Sequence, residues 1–120
     1  MIDIAAELAE LETFIRKETR IPNVSVIAEP QDTNGVRCHI DHGSSDVEIG
    51  PSMTIQVFPV TVTLKDVKQN WRAVMANALI VHGEVKAQKP HKWQAGAIER
   101  IEDVSDYILR LNISIKLPFA

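Results

Sequence analysis

The sequence predicts an α+β domain in which two helices pack on one face of a mostly antiparallel sheet of about five strands. Three observations predict this class. Two segments carry apolar residues at helical spacing, five segments have the residue content or alternation of strands, and short turn-rich segments join neighbouring strands. The predicted order of elements is α-β-β-β-α-β-β. A chain of 120 residues fits a single α+β domain over residues 1–120.

The first helix is predicted near the N-terminus, where four apolar residues fall on one helical face: Ile4, Leu8, Leu11 and Ile15. Asp3 is the expected N-cap. Ile21-Pro22 ends the helix, because the residue before a proline disfavours helical dihedrals.

Two strands are predicted next, over 23–29 and 36–42. Asn34-Gly35 lies between them and is a strong signal for a tight hairpin, which would make the two strands antiparallel. Residues 43–52 contain glycine, serine and proline and are predicted to form a loop.

A long strand is predicted over 53–64, a segment rich in β-branched residues. Pro59 lies inside it and cannot donate a ladder hydrogen bond, so it requires an edge position, a bulge or a break.

The second helix is predicted from a wide apolar stripe made of Val67, Trp71, Val74, Met75, Ala78 and Leu79. Residues 63–66, "TLKD", match a capping box, with Asp66 as an alternative cap, and Gly83 is the expected stop. The spacing of Trp71 and Met75 assigns both to the core.

The C-terminal third is predicted to contain a long connection over 84–96, a strand and turn over 97–106, and a final strand from 107 to 119. In that last segment one apolar face alternates with a largely polar one. The buried face is predicted to hold Tyr107, Leu109, Leu111, Ile113, Ile115 and Leu117.

Composition narrows the function classes. The net charge of −3 argues against general nucleic-acid binding, which depends on basic patches that neutralise phosphates. The single cysteine, Cys38, cannot form a disulfide within the chain and fits a reducing compartment. The acidic N-terminal segment lacks the pattern of a signal peptide, and the longest aliphatic run, "ALIV" at 78–81, is too short for a membrane span. We therefore expect a cytosolic protein.

The segment "CHIDHG", Cys38 to Gly43, raises the question of a metal or catalytic site. In a strand, successive side chains point to opposite faces, so Cys38 and Ile40 face away from His39 and Asp41 and no common ligand set forms. A site made of His39 and Asp41 alone is an alternative hypothesis, for a small enzyme or ligand-binding domain. Since no nucleophile setting, P-loop or dinucleotide fingerprint is present, no metal or cofactor is predicted.

Two segments of opposite charge are candidate interaction surfaces. The first carries three acids: Asp41, Asp46 and Glu48. The second, within the predicted 84–96 connection, carries Lys86, Lys89, Lys92 and Trp93. Lysines beside an exposed tryptophan would suit nucleic acid by charge and stacking. Alternatively, the basic segment of one copy meets the acidic segment of the next, and such head-to-tail contacts close into rings.

The order of elements, together with the closing segment "DYILRLNISIKLPF", resembles the tail terminator family of long-tailed bacteriophages, also called tail completion or tail-to-head joining proteins. The resemblance covers nearly the whole chain and concerns element order and size. It implies a hexameric ring, without catalysis, that caps the finished tail tube and joins it to the head connector. DNA would pass through the lumen without specific binding, and the protein would reside in the virion after assembly in the host cytoplasm.

Overall fold

A computed structural model describes residues 4–28, 35–51, 54–87 and 92–118 of the chain. Within these ranges the chain forms two α-helices, six strands and one 3-10 turn. In chain order they are α1 (Ile4–Thr19), β1 (Asn23–Val26), β2 (Arg37–His42), β3 (Asp46–Ile49), β4 (Thr54–Val67), the 3-10 turn (Lys68–Asn70), α2 (Trp71–Ala87), β5 (Trp93–Ile101) and β6 (Asp106–Pro118).

The strands form one sheet in the order β1-β2-β4-β6-β5, and β3 also pairs with β4. Every pairing is antiparallel except that of β1 with β2. The two helices cover one face of the sheet. The predicted fold class is thus confirmed, with one strand more than the predicted order contains.

The core lies between the helices and the alternating apolar residues of the central strands. On β6 the predicted face is confirmed: Leu109, Leu111, Ile113 and Ile115 are buried, and Tyr107 and Leu117 near its ends are partly buried. Their partners on β4, from Phe58 to Leu64, are buried at every second position, which places both sets on the helix side of the sheet. Helix α1 adds three of the four residues that periodicity selected, Leu8, Leu11 and Ile15, while Ile4 is partly buried against the core.

The predicted hairpin between the first two strands is wrong. Strands β1 and β2 are parallel, with Val24 beside Cys38, and the ten residues 27–36 return the chain to the same end of the sheet. Strand β1 ends at Val26, and Ile27 follows with a φ of 70°. The Asn-Gly pair indicates only a local turn preference. Strand β1 also packs against α1, where Val24 is buried and its carbonyl accepts a hydrogen bond from Arg16, and these contacts are compatible with the parallel pairing. Asp3, Pro30 and Asn34 lie outside the described residues.

The predicted loop at 43–52 contains strand β3. Strand β2 ends at His42, which leaves the same edge of β4 unpaired from Thr54 to Val57, and β3 pairs there. Pro59 lies where β2 stops and β3 has not begun. Its carbonyl accepts a hydrogen bond from the Gly43 N–H (2.9 Å), so its ring nitrogen faces this gap and no ladder bond is lost. Strand β4 therefore continues through Pro59 without a break or bulge, and of the three predicted options the proline takes an edge position, at the gap between β2 and β3.

The predicted start and stop of the second helix are also wrong. Residues 63–66 belong to β4, so they form no capping box. The buried Asp66 carboxylate instead accepts hydrogen bonds from the Val67 N–H (2.7 Å) and the Asn70 amide (2.6 Å), which shapes the 3-10 turn. Helix α2 continues past Gly83 to Ala87, since Val81 and Val85 anchor both sides of the glycine in the core.

The described chain is elongated, at 50 × 25 × 23 Å, with a radius of gyration of 14.8 Å. A compact chain of this length has a radius of gyration of about 13.6 Å. The extra length agrees with strands of 14 and 13 residues for β4 and β6. No helix in the described ranges combines the length and apolarity needed to cross a membrane.

Candidate interaction surfaces and a polar cavity

Strand β2 separates the "CHIDHG" side chains as strand geometry predicts. Cys38 and Ile40 are fully buried on the helix side, while His39 and Asp41 lie half-buried on the open face. Burial raises the pKa of the Cys38 thiol to about 12, although the nearby positive charge of Arg16 opposes this. Cys38 is therefore a neutral core residue at physiological pH.

The open face of the sheet carries a shallow cavity of about 260 Å³. Six side chains from three strands line it, all of them polar or charged: His39, Asp41, Thr61, Thr63, Lys65 and Arg110. The register places His39, Thr63 and Arg110 directly across from one another on β2, β4 and β6. The hypothesis that His39 and Asp41 share a concave site with further polar groups therefore has structural support.

The cavity offers binding groups rather than an activated nucleophile. Its hydroxyls belong to Thr61 and Thr63, and neither is hydrogen-bonded to a base within the described ranges. The Nε2 atom of His39 contacts the Ile27 carbonyl oxygen (2.7 Å), an acceptor that requires the proton on that nitrogen. No group of three or more His, Cys, Asp or Glu side chains in the described part of the chain could hold a metal ion.

The three candidate acids lie on the open side of the sheet. Asp41 faces this side from β2, and the pairing of β3 with β4 puts Asp46 and Glu48 there too. The Glu48 carboxylate is 3.4 Å from the ammonium of Lys116 on β6, so part of its charge is compensated within the chain.

The basic segment differs from its prediction. Helix α2 extends to Ala87 and β5 begins at Trp93, so the predicted 84–96 connection shrinks to residues 88–92. Lys86 is exposed on the last turn of α2, and Lys89 lies outside the described residues. Trp93 is only 2% exposed, packed edge-on against Phe14 with 5.2 Å between ring centroids. The stacking platform expected for nucleic acid is therefore absent at this position.

Lys92 binds within its own chain. Its ammonium lies 3.0 Å from the Glu7 carboxylate and 2.8 Å from that of Glu10, which ties the start of β5 to α1. Burial alone would lower the pKa of Lys92, but the two carboxylates outweigh it and raise the pKa above its ordinary value. The Glu7 contact has the distance of an ion pair without good hydrogen-bond geometry, since Glu7 Oε2 is buried and lacks a hydrogen-bond donor.

Lys92→Met is expected to lower the free energy of unfolding by about 1 kcal/mol, because it leaves the buried Glu7 oxygen without a cation. A raised folded-state pKa gives stability that is present below the unfolded pKa and is lost as the pH rises through the folded pKa. The difference in free energy of unfolding between the Lys92→Met variant and the unmodified chain should therefore be largest near neutral pH and should shrink in strongly alkaline buffer.

Urea unfolding at a series of pH values measures this difference. Lys86→Met is the matched control, since Lys86 has no ion-pair partner among the described residues. If Lys92→Met and Lys86→Met lost equal free energy of unfolding, the ion pairs of Lys92 with Glu7 and Glu10 would not contribute to stability. A loss in Lys92→Met that did not change with pH would contradict the raised pKa of Lys92.

An exposed apolar surface on α2 was not predicted. Trp71, Met75 and Leu79, spaced four residues apart, form what we call the α2 stripe, and they are 39%, 37% and 57% exposed. The assignment of Trp71 and Met75 to the core is thus wrong. Helix α2 faces the sheet instead through four smaller residues: Val74, Ala78, Val81 and Val85.

Basic and aromatic groups border the α2 stripe. The Arg72 guanidinium lies 4.8 Å from the Trp71 ring centroid, and the Trp71 ring is 6.3 Å from that of Tyr107 on β6. Arg100 of β5 stacks over the same tyrosine at 5.3 Å. The stripe is therefore apolar with a positively charged margin.

A second exposed surface is β3. All four of its residues are exposed, with the Ile49 side chain at 87%. Val47 and Ile49 face the helix side of the sheet, whereas Asp46 and Glu48 face the open side. The outer edge of β3 pairs with no other described strand, and such edges readily accept a further chain.

Comparison with known proteins assigns no family. No protein-family model matches the chain, and no curated protein matches it significantly.

Proposed function

We propose that this chain is a structural assembly protein whose copies associate side by side into a ring, as in the bacteriophage tail terminators that its element order resembles. In that role the ring caps the tail tube and joins it to the head connector, and it leaves a lumen for DNA. The role involves no catalysis and places the protein in the virion. The observation that carries the proposal is the presence of two exposed apolar surfaces, the α2 stripe and β3, on a domain with a well-packed core.

The first support is the cost of leaving these side chains in water. Fully burying a leucine, isoleucine or methionine stabilises by about 1.5–3 kcal/mol, and large exposed apolar groups at a contiguous site mark interaction surfaces. The stripe and β3 together leave five such side chains exposed: Val47, Ile49, Trp71, Met75 and Leu79.

The second support is that the two surfaces are different. The α2 stripe is a helical face bordered by Arg72 and Arg100, whereas β3 is an edge strand whose apolar residues, Val47 and Ile49, share one side. A contact between β3 of one copy and the stripe of the next is heterologous, and heterologous contacts generate closed rings or open filaments. A second copy of this chain is accordingly the occupant that we assign to each surface.

The third support is the net charge. At −3 the chain does not attract phosphates over long range, which suits a passage that DNA must traverse without binding. The contacts with the tube and the connector would then use the remaining exposed ends of the elongated body.

The proposal is tested on the full chain by light scattering, native mass spectrometry and negative-stain microscopy. Co-sedimentation with tail tubes, assembled from the major tail protein of the same genome, completes the test. We expect a ring of fixed stoichiometry, either free in solution or on tube ends only. A chain that stays monomeric at every concentration and does not sediment with tubes would refute the proposal, as would a genome without a tail protein gene.

A further inference from the structure

We propose that the polar cavity on the open face of the sheet is a binding site for a phosphate group, carried by a small hydroxyl-bearing phosphate ester. This site is separate from the α2 stripe and β3, and it does not depend on ring formation.

The first argument is the set of groups in the cavity that lack partners. The guanidinium of Arg110 and the hydroxyls of Thr61 and Thr63 make no hydrogen bond or ion pair with other described residues. Arg110 and Thr63 are direct neighbours across β4 and β6, so their donors converge on one region. Polar groups arranged around a concavity in this way are satisfied by water or by a ligand.

The second argument is charge. The lining contains two cations, Lys65 and Arg110, and one carboxylate, Asp41, so these three charges sum to +1. The surrounding chain has the opposite sign, at −3. A positive site on an acidic chain favours an anion, and arginine together with hydroxyl donors suits the tetrahedral oxygens of phosphate.

The third argument is the distribution of charged side chains along the cavity. Lys65 lies at one end, His39, Thr63 and Arg110 form the middle row, and Asp41 and Thr61 form the row at the other end. Glu99 lies across from Arg110 on β5, where its carboxylate accepts a hydrogen bond from the Asn112 side chain. The anion therefore belongs between Lys65 and Arg110, away from Asp41. Asp41 is placed to accept hydrogen bonds from hydroxyls on the rest of the ligand. At about 260 Å³ the cavity is smaller than the roughly 300–1,000 Å³ of drug-sized sites, so the ligand is small.

The test is a titration of the isotope-labelled full chain with inorganic phosphate and with ribose 5-phosphate, followed by two-dimensional NMR at constant ionic strength and neutral pH. We expect saturable shifts confined to the amides around Thr61, Thr63, Lys65 and Arg110, with the ester binding more tightly than the free anion. Arg110→Gln should weaken both at least tenfold, because it removes a charge-assisted contact.

Two variants make the result specific. Asp41→Asn should tighten the binding of inorganic phosphate, since it removes a repelling charge, whereas non-specific binding would gain little from it. Lys17→Gln removes an equal charge from the exposed surface of α1, on the helix side of the sheet, and should leave the titration unchanged. A duplex DNA oligonucleotide that shifts the same amides more strongly than the ester would assign the phosphate to a nucleic-acid backbone.

Two results would overturn the site. One is the absence of saturable shifts at these amides up to high phosphate concentration. The other is a set of shifts spread over lysines and arginines throughout the chain that Arg110→Gln does not change. Neither result bears on ring formation, which is measured separately.

Discussion

Leu79→Glu is expected to abolish self-association while the domain stays folded. Leu79 is 57% exposed in the single chain, so the substitution removes little core packing, and glutamate is a good helix former. In the proposed ring this side chain is buried against β3 of the next copy. Burying an uncompensated carboxylate costs several kcal/mol, which corresponds to a weakening of the contact on the order of 100-fold or more. Light scattering and native mass spectrometry measure the loss, and circular dichroism checks the fold.

Ile80→Glu is the matched control. Ile80 is the next residue of α2, is also exposed, and points about 100° away from Leu79 around the helix. The same chemical change there should leave the oligomer intact. If Leu79→Glu assembled like the unmodified chain, or if both variants failed equally, the α2 stripe would not be the contact.

A mixing experiment identifies the partner surface. Ile49→Glu should block assembly from the β3 side, so each variant is expected to be monomeric alone. In a mixture, the intact stripe of the Ile49→Glu chain can bind the intact β3 of the Leu79→Glu chain, but neither can extend further. A one-to-one dimer is therefore expected. A mixture that remains monomeric, or that regains rings, would contradict a head-to-tail contact between β3 and the stripe.

Local periodicity was sufficient to predict the buried residues of the elements that contact the core through a single face. The alternation along β6 and the spacing of three and four residues along α1 each admit one buried side, and the central residues of both predicted faces are buried. On α2 two apolar patterns overlap. The predicted stripe combined the larger Trp71, Met75 and Leu79 with Val74 and Ala78, yet only the last two are buried, together with Val81 and Val85. Sequence spacing cannot choose between two adjacent stripes, because the choice depends on how closely the helix must approach the sheet.

The candidate site residues show a second limit. Lys92 and Trp93 read as an exposed basic and aromatic segment because their partners lie more than 70 residues away, at Glu7, Glu10 and Phe14. The cavity likewise draws its lining from three strands that are adjacent only after folding. Its one local signal was the placement of His39 and Asp41 on the polar face of a strand, which supported a site there only as an alternative hypothesis. Thr61, Thr63, Lys65 and Arg110 alternate on their own strands, but nothing local distinguishes them from an ordinary solvated face.

Trp93→Ala is expected to lower the free energy of unfolding by about 3–5 kcal/mol, the range for removing a buried tryptophan. The side chain is 2% exposed and fills the space between β5 and Phe14 of α1, so its loss leaves a cavity that the rigid sheet closes poorly. For 120 residues this loss corresponds to a fall in Tm on the order of 12–20 °C. Urea and thermal unfolding in the Leu79→Glu background measure it without interference from association.

Two comparisons separate packing from other roles of this residue. Trp71→Ala makes the same change on the α2 stripe, where 39% of the residue is already exposed, and should cost clearly less. Trp93→Phe should cost less than Trp93→Ala for an added reason: the indole N–H of Trp93 is buried without a hydrogen-bond partner, and phenylalanine removes that unsatisfied donor. If Trp93 were instead an exposed stacking platform, alanine would cost little stability and phenylalanine would be no better than alanine. Trp93→Ala is therefore expected to lose more stability than either Trp71→Ala or Trp93→Phe. This order follows only if Trp93 belongs to the core.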